Sequence, residues 1–506
     1  MELFTERHAE KIVGELSCLD RVVITGTIPG ICHAEGMSGY LRFKGIRIFD
    51  YTRWAEPLRE EVRQNAQRLA QEAGLQIEHL RNSSVRKESL VREILTARGV
   101  SAEGLVCIFS AMEACPSYKP WHDKASGRTF LKPDTGKCLH YYFYFIDKDL
   151  GLCYLRVPSW APFRLQFYFN GHGMLEAALR HRGIDARMLD NAFVHMADWS
   201  SAQRLAERVR PEWLHRKLDR YARMCCPPVR RFDSGYHWSV MQIEYATDIV
   251  FRRQQELAPI YEALVRTAVH AVKAENVATF LGRKLYGHYR DEVGNDFQTR
   301  IQGTRIKHQM GKAAIKMYDK HGLILRIETT LNDVSFFKHH RRVEHRDGSW
   351  EMKTAALKKS IYSLPLLLEL MQAANRRYLE FISTLDDPSG ALKDLEKLGR
   401  PVREAERSLR GFNLFAGEDL DLFQALLRGE FNISGFQNKD LAQRLQKASR
   451  KVSALLKRLR AHGLIKKIGH CYKYYLTALG RRVAATALRV REMTIIPTLC
   501  AARVQT

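Results

Sequence analysis

The run CLHYYFYFID at 138–147 restricts the fold of this chain more than any other stretch, because Tyr141, Tyr142, Phe143, Tyr144 and Phe145 are five aromatic residues in succession. Aromatic side chains favour the pleated strand, whose period of two sends Tyr141, Phe143 and Phe145 to one face and Tyr142 and Tyr144 to the other. Turn residues at 147–151, then LCYLRVP and RLQFYFNG, carry the pattern on as an antiparallel meander to residue 170. Rings on both faces leave two readings: a sheet covered on both sides, or one whose outer rings stack nucleic-acid bases beside Arg156 and Arg164. With 506 residues, 45% of them apolar, the chain can bury a sizeable core and has room for about three domains.

Around this sheet the pattern changes in both directions. Between 21 and 112, short β-rich runs at 21–27, 46–49, 75–79 and 105–110 alternate with amphipathic stretches at 55–73 and 87–98, which predicts an α/β layer with a largely parallel sheet. Ligands of such sheets gather beyond the carboxyl ends of the strands, which directs attention to Thr25, Thr27, Asp50 and Glu113. GTIPG at 26–30 is not a phosphate loop and no G-x-G-x-x-G occurs, so an ATPase or dinucleotide enzyme is disfavoured. Downstream, helical patterns at 201–222, 240–271, 277–285 and 363–385 surround a meander of three strands at 304–308, 314–319 and 323–331. The predicted class is therefore α/β and α+β, multidomain. It comprises an α/β domain over 1–135, an antiparallel aromatic region over 136–232 that is separate from or continuous with it, and a helical plus β-meander domain over 233–400. A linker over 401–417 and a C-terminal block over 418–506 complete it.

Charge selects the class of partner. Lys and Arg number 81 against 56 Asp and Glu, a formal net charge of +25, which asks for a polyanion. Residues 437–506 alone hold 16 basic residues against Asp440 and Glu492. No run approaches the ~18 apolar residues of a membrane span, and the start MELFTERHAE lacks a signal peptide's pattern, so a soluble cytoplasmic protein with no membrane partner is expected. Ten cysteines without a C-x-x-C pair fit neither a disulfide scaffold nor a zinc site, and zinc is not expected.

The C-terminal block reads as three helices at 418–427, 438–445 and 449–462, followed by a β hairpin. Val452, Leu455, Leu456 and Leu459 form one apolar stripe, while Arg450, Ser453 and Lys457 share another face. Lys466 and Lys467 open the hairpin, His470 sits at its tip and Lys473 returns among tyrosines. The segments RLRAHGLIKK and YYLTALGRR resemble the recognition helix and wing of MarR-type winged-helix regulators. That resemblance implies duplex DNA as partner, with Arg450, Ser453, Lys457, Lys466, Lys467, His470 and Lys473 in contact.

Two places offer chemistry. In the meander, Lys316 and Tyr318 share one face of their strand, and Arg326 and Glu328 share one face of the next. KMYDK followed by LRIETT resembles strand pairs in replication initiators of filamentous phages and rolling-circle plasmids. The resemblance implies Tyr318 as nucleophile on a DNA phosphate, Lys316 or Arg326 as stabilisers of the phosphorane, and Glu328 as holder of a divalent metal, Mg²⁺ or Mn²⁺. None of the 19 histidines stands two residues from another, so the His-x-His metal pair of such initiators is absent. The alternative is a cross-strand charge ladder. Upstream, Glu244 and Asp248 stand four apart on an expected helix, where they either share a cation or form a ladder with Arg252.

The whole chain resembles bacterial proteins associated with mobile or multicopy genetic elements. Three functions stay open at this level. The first is a nucleic-acid-binding protein of such an element, a replication-initiator-like or nicking enzyme; the second is a non-enzymatic transcriptional regulator. The third is a binder of structured RNA, with single-stranded DNA or RNA as partners of the body.

Overall fold

The computed structural model describes residues 4–81, 86–98, 103–283, 293–300, 303–345, 347–384, 396, 398–404, 407–413, 416–428, 431, 435–468 and 472–491. The fold is mixed α/β with a large mixed sheet. Two compact units arise from interleaved segments: the first from Met1–Glu15, Ala246–Thr329 and Leu370–Thr506, the second from Leu16–Tyr245 and Thr330–Glu369.

In chain order the sheet strands are β1 (Ile12–Thr27), β2 (Ile77–His79), β3 (Gly104–Asp123), β4 (Arg128–Asp147), β5 (Gly151–Pro158) and β6 (Leu165–Asn170). After the separate hairpin of β7 (Ala186–Leu189) and β8 (Ala192–Met196) come β9 (His237–Phe251), β10 (Val293–Arg300), β11 (Gly303–Met310), β12 (Ala313–Lys320) and β13 (Ile324–Leu331). Strands β1, β9 and β13 each give residues to both units.

The second unit carries the order β1-β6-β5-β4-β3-β2. Its pairings are antiparallel except β2 with β3, which corrects the largely parallel layer expected from 21–112. Loop length is the cause. A turn of a few residues, such as the one from Asp147 to Gly151, can only return the chain antiparallel, whereas a parallel pair needs a crossover; the helix Lys87–Arg98 supplies one between β2 and β3. Residues 46–49 make no strand; Ile48–Asp50 is a 3₁₀ turn. The 135/136 boundary falls inside β4, because β3 and β4 pair along their whole length.

Both faces of the aromatic sheet are covered. Tyr142, Tyr144 and Tyr154 are buried with Phe109 and with Val91 of the helix Lys87–Arg98. On the other face the Phe145 and Phe167 rings meet Tyr221 of the helix Pro211–Cys225 at centroid distances of 4.9 and 5.4 Å. The rings belong to the core, and no base-stacking platform exists there. The helix expected across 240–271 is another correction, since β9 occupies His237–Phe251 and a helix begins at Gln254.

In the first unit β10-β11-β12-β13 follow one another in order, with Ile306 opposite Met317 in the β11–β12 ladder. The meander matches expectation to within a few residues. Every residue of β13 is buried, so its alternate polar positions face a protein interior. The C-terminal part of this unit consists of helices Gly417–Leu426, Asn438–Leu445 and Ser449–Ala461, the strands Ile465–Lys467 and Tyr474–Leu476, and the helix Ala478–Arg489. Val452, Leu456 and Leu459 pack there with Leu422, Phe423, Leu441, Ile465 and Val483. Gly463, at φ +67°, ends the third helix in the left-handed region where glycine is favoured. Gly480 lets the last helix close on the hairpin, because a Cβ there would stand 2.0 Å from the Leu464 carbonyl oxygen.

Candidate functional site

In the meander the turn at Lys320–Gly322 fixes the register and thereby the polar face. The Lys316 ammonium reaches Glu328 Oε1 at 2.5 Å, and the Tyr318 hydroxyl donates to Glu328 Oε2 at 2.8 Å. Glu328 is buried, while Lys316 and Tyr318 are half-buried. These three predicted residues do meet. Arg326 is wholly buried and donates to both carboxylate oxygens of Asp248 at 2.6 Å each. Two corrections follow. Arg326 is a structural cation out of reach of a substrate phosphate, and Asp248 is its counter-ion rather than Glu244's partner around a metal. On strand β9 the spacing of four also sets Glu244 and Asp248 roughly 13 Å apart, too far to share one ion. Next to this pair Asn375 binds Thr247 Oγ1 at 3.1 Å, the Ile327 carbonyl at 3.2 Å and Thr329 Oγ1 at 2.6 Å, which satisfies the interior polar groups of β9 and β13.

Two carboxylates of the second unit, Asp20 and Glu244, have the geometry to serve as cation ligands. Within the second unit an oxygen of Asp20 lies within 4.8 Å of one of Glu244. Asp20 Oδ1 accepts from Asn191 at 2.6 Å and from Asn170 at 2.9 Å, with His172 Nδ1 3.4 Å away. Glu244 Oε1 accepts from Thr330 at 3.4 Å. Two amides that hold one oxygen of a buried carboxylate fix its orientation, as ligand-positioning partners do. Asp20 was missed in the sequence; its signal is an acid in the middle of the β-rich run ELSCLDRVVITGT.

A further polar network surrounds Glu113, which was singled out at the end of a predicted strand. It accepts from the Tyr142 hydroxyl at 2.7 Å and from Arg156 Nη2 at 2.6 Å, with Lys87 at 3.5 Å. Burial pushes the Glu113 carboxyl up, but the hydrogen bonds from Tyr142 and Arg156 and the two cations outweigh it and hold the group below the usual range. Since Tyr142 and Arg156 are largely buried, this network braces the sheet.

At the C terminus the third helix divides its cations between two uses. Arg458 turns inward and grips Asp419 through Nη1 at 2.8 Å and Nη2 at 2.9 Å, with its guanidinium 3.8 Å from the Phe412 ring centroid. Arg450, Lys451 and Arg460 on the helix, and Lys466 and Lys473 on the hairpin, are exposed and form no ion pair among the described residues. Lys457, itself exposed, faces the buried Oε2 of the half-buried Glu404 at 3.7 Å. Lys467 is exposed with its ammonium over the Tyr472 ring at 5.1 Å. Ser453 has a structural use instead: its hydroxyl accepts from Asn438 at 2.8 Å and so ties the second helix to the third. His470 lies outside the described residues. Lys451 and Arg460 were absent from the predicted set, although both stand on the polar side of the same helical pattern.

No helix among the described residues is long and apolar enough to cross a membrane. No protein-family model, curated protein or solved structure matches the chain.

Proposed function

We propose that this chain is a nucleic-acid-binding protein of a bacterial mobile or multicopy genetic element, and that its C-terminal block is a winged helix that docks on duplex DNA. One observation carries the reading. Arg450, Lys451, Lys466 and Lys473 are exposed without ion-pair partners among the described residues, and no acid occurs between 441 and 475. Like charges gathered this way repel one another, and a phosphate backbone relieves the repulsion while it releases counterions. In a winged helix the third helix enters the major groove and the hairpin rests on the backbone.

The test is binding of the full chain to duplex DNA over a range of salt. Changing Arg450 and Lys457 together to Ala is expected to weaken binding and to lower the salt slope by about one to two units. Low-salt binding equal to that of the wild type would sink the reading.

The acids support a second reading, in which the protein also cuts DNA. The Tyr318 hydroxyl donates to Glu328, which supports Glu328 as the base that takes its proton while the phenol oxygen bonds to phosphorus, the P–O bond to the next nucleotide breaks and that nucleotide leaves as a free hydroxyl end. Lys316 then balances charge near the phosphate; separately, within the second unit, Asp20 and Glu244 are suited to hold Mg²⁺ or Mn²⁺.

A further inference from the structure

An open cavity of about 570 Å³ in the second unit is lined by Arg68, Arg216, Arg220, Arg223 and Arg230, with Asp219 and Met224 as the remaining lining residues. Five arginines around one trough with one acid is a concentration of charge that neither the C-terminal block nor the carboxylates use.

Its origin lies in the helix Pro211–Cys225. Leu214, Leu218, Tyr221, Ala222 and Cys225 are buried on one side, so Arg216, Arg220 and Arg223 recur on the other at spacings of four and three. At 1.5 Å per residue they mark out roughly 10 Å along the axis. The single acid does not neutralise them, because Asp219 accepts from Trp238 Nε1 at 2.8 Å and stands 3.6 Å from His215 Nε2. Arg68 is paired with Glu72 at 2.5 Å. Arg216, Arg220, Arg223 and Arg230 are exposed and make no ion pair among the described residues. Arg230 Nη2 donates to the Arg223 carbonyl oxygen at 3.5 Å, which holds that guanidinium at the end of the helix. Cations at i and i+4 destabilise a bare helix. The arrangement is therefore one that an anionic ligand stabilises.

We infer that this trough binds the phosphodiester backbone of a nucleic acid, through Arg216, Arg220 and Arg223 with Arg230 beside them. Three arginines in line suit a chain of phosphates better than one isolated phosphate, and guanidinium forks match phosphate oxygens bidentately. A membrane surface fits less well. The trough is concave, and Met224 is its only apolar lining residue, whereas surface-bound helices insert an apolar face between lipids. The inference rests on the nucleic-acid reading of the chain but not on the C-terminal block, and it gives the second unit its own share of the contact.

The full chain is titrated with a labelled single strand and with its duplex over a range of salt, beside R216A/R220A/R223A and, separately, R450A/K466A/K473A. Loss of three phosphate contacts is expected to lower the salt slope by roughly two units on the single strand and roughly three on the duplex. Replacing the three arginines with Lys, which keeps the charge, restores most of the slope. If R216A/R220A/R223A binds both probes with unchanged affinity and slope while the C-terminal variant is weakened, the trough proposal fails and the function reading stands. Wild-type protein that binds neither probe at low salt ends both. Capture on phosphatidylserine vesicles that is lost in R216A/R220A/R223A, with nucleic-acid binding unaffected, assigns the trough to membranes and overturns the proposal.

Discussion

Glu328 receives the Lys316 ammonium on one oxygen and the Tyr318 hydroxyl on the other, so the one carboxylate joins a cation and a potential nucleophile. A substrate phosphate that paired with Lys316 would draw that ammonium off Glu328, with the Tyr318 hydroxyl still directed at the carboxylate. Tyr318→Phe tests this directly, since it keeps the ring and removes the oxygen. With Mg²⁺ or Mn²⁺, wild-type protein is expected to leave a covalent adduct on single-stranded or supercoiled DNA in a denaturing gel, and Tyr318→Phe to leave none while duplex binding persists. No adduct and no nick from the wild type removes the tyrosine mechanism. Cleavage that survives Tyr318→Phe but is lost in Asp20→Asn or Glu244→Gln makes water the nucleophile. This face was legible in the sequence because a tight turn and strict alternation fix which residues of a hairpin meet. The Asp248–Arg326 pair was not. Both partners lie on strands buried on both faces, where no polar side remains to reveal the period.

The same reasoning applies to whole elements. The helices Lys87–Arg98 and Asn438–Leu445 have the bounds their patterns predict, since each has a polar side to mark the period. Residues 240–251 carry apolar side chains at 240, 243, 246, 249 and 250, a spacing that satisfies a helix as well as a doubly covered strand, and tertiary pairing decided for the strand. Strand β11 and the helix Leu364–Thr384 meet through a group whose cost depends on pH. His308 is fully buried, hydrogen-bonded to Tyr378 Oη at 3.0 Å and to Asn295 at 2.6 Å, and burial pushes its imidazole down to about 4. A depressed imidazole value means that the unfolded chain binds a proton near pH 6.5 while the folded chain resists one until about pH 4. Stability from this residue is therefore complete above pH 6.5 and falls as the pH drops towards 4, by about 3 kcal/mol over the window. Denaturant unfolding at pH 7 and pH 4.5 should show the loss, and His308→Gln should flatten that part of the curve. An unchanged slope in the variant would mean that the imidazole takes up its proton in the fold without penalty.

For the molecule as a whole, the interleaving of segments decides what can be separated. The chain passes between its units at 15/16, 245/246, 329/330 and 369/370, so the boundary expected at 232/233 cuts the second unit away from its own 330–369. Backbone contacts make the dependence concrete: Val240 N–H donates to the Lys359 carbonyl, and Ser239 bridges to Ser360. Hydrophobic periodicity tells which face of an element is buried but not which distant segment covers it, so this interleaving leaves no trace in the sequence. The C-terminal block differs. Its buried cluster is drawn wholly from residues between Leu398 and Ala487, and the Arg458–Asp419 pair closes within it at 2.8 Å. A fragment of residues 396–506 is therefore expected to fold alone, with a helical circular-dichroism spectrum and a cooperative melt, and to retain salt-sensitive duplex binding. A fragment of residues 1–232 is expected to lack a cooperative transition, because it ends before β9 and lacks the segment that β9 contacts. If 396–506 melts without cooperativity while 1–232 melts sharply, the core assignments of both are wrong. If 396–506 folds but does not bind DNA, its exposed cations need a different partner, and the arginine trough of the second unit becomes the principal nucleic-acid contact.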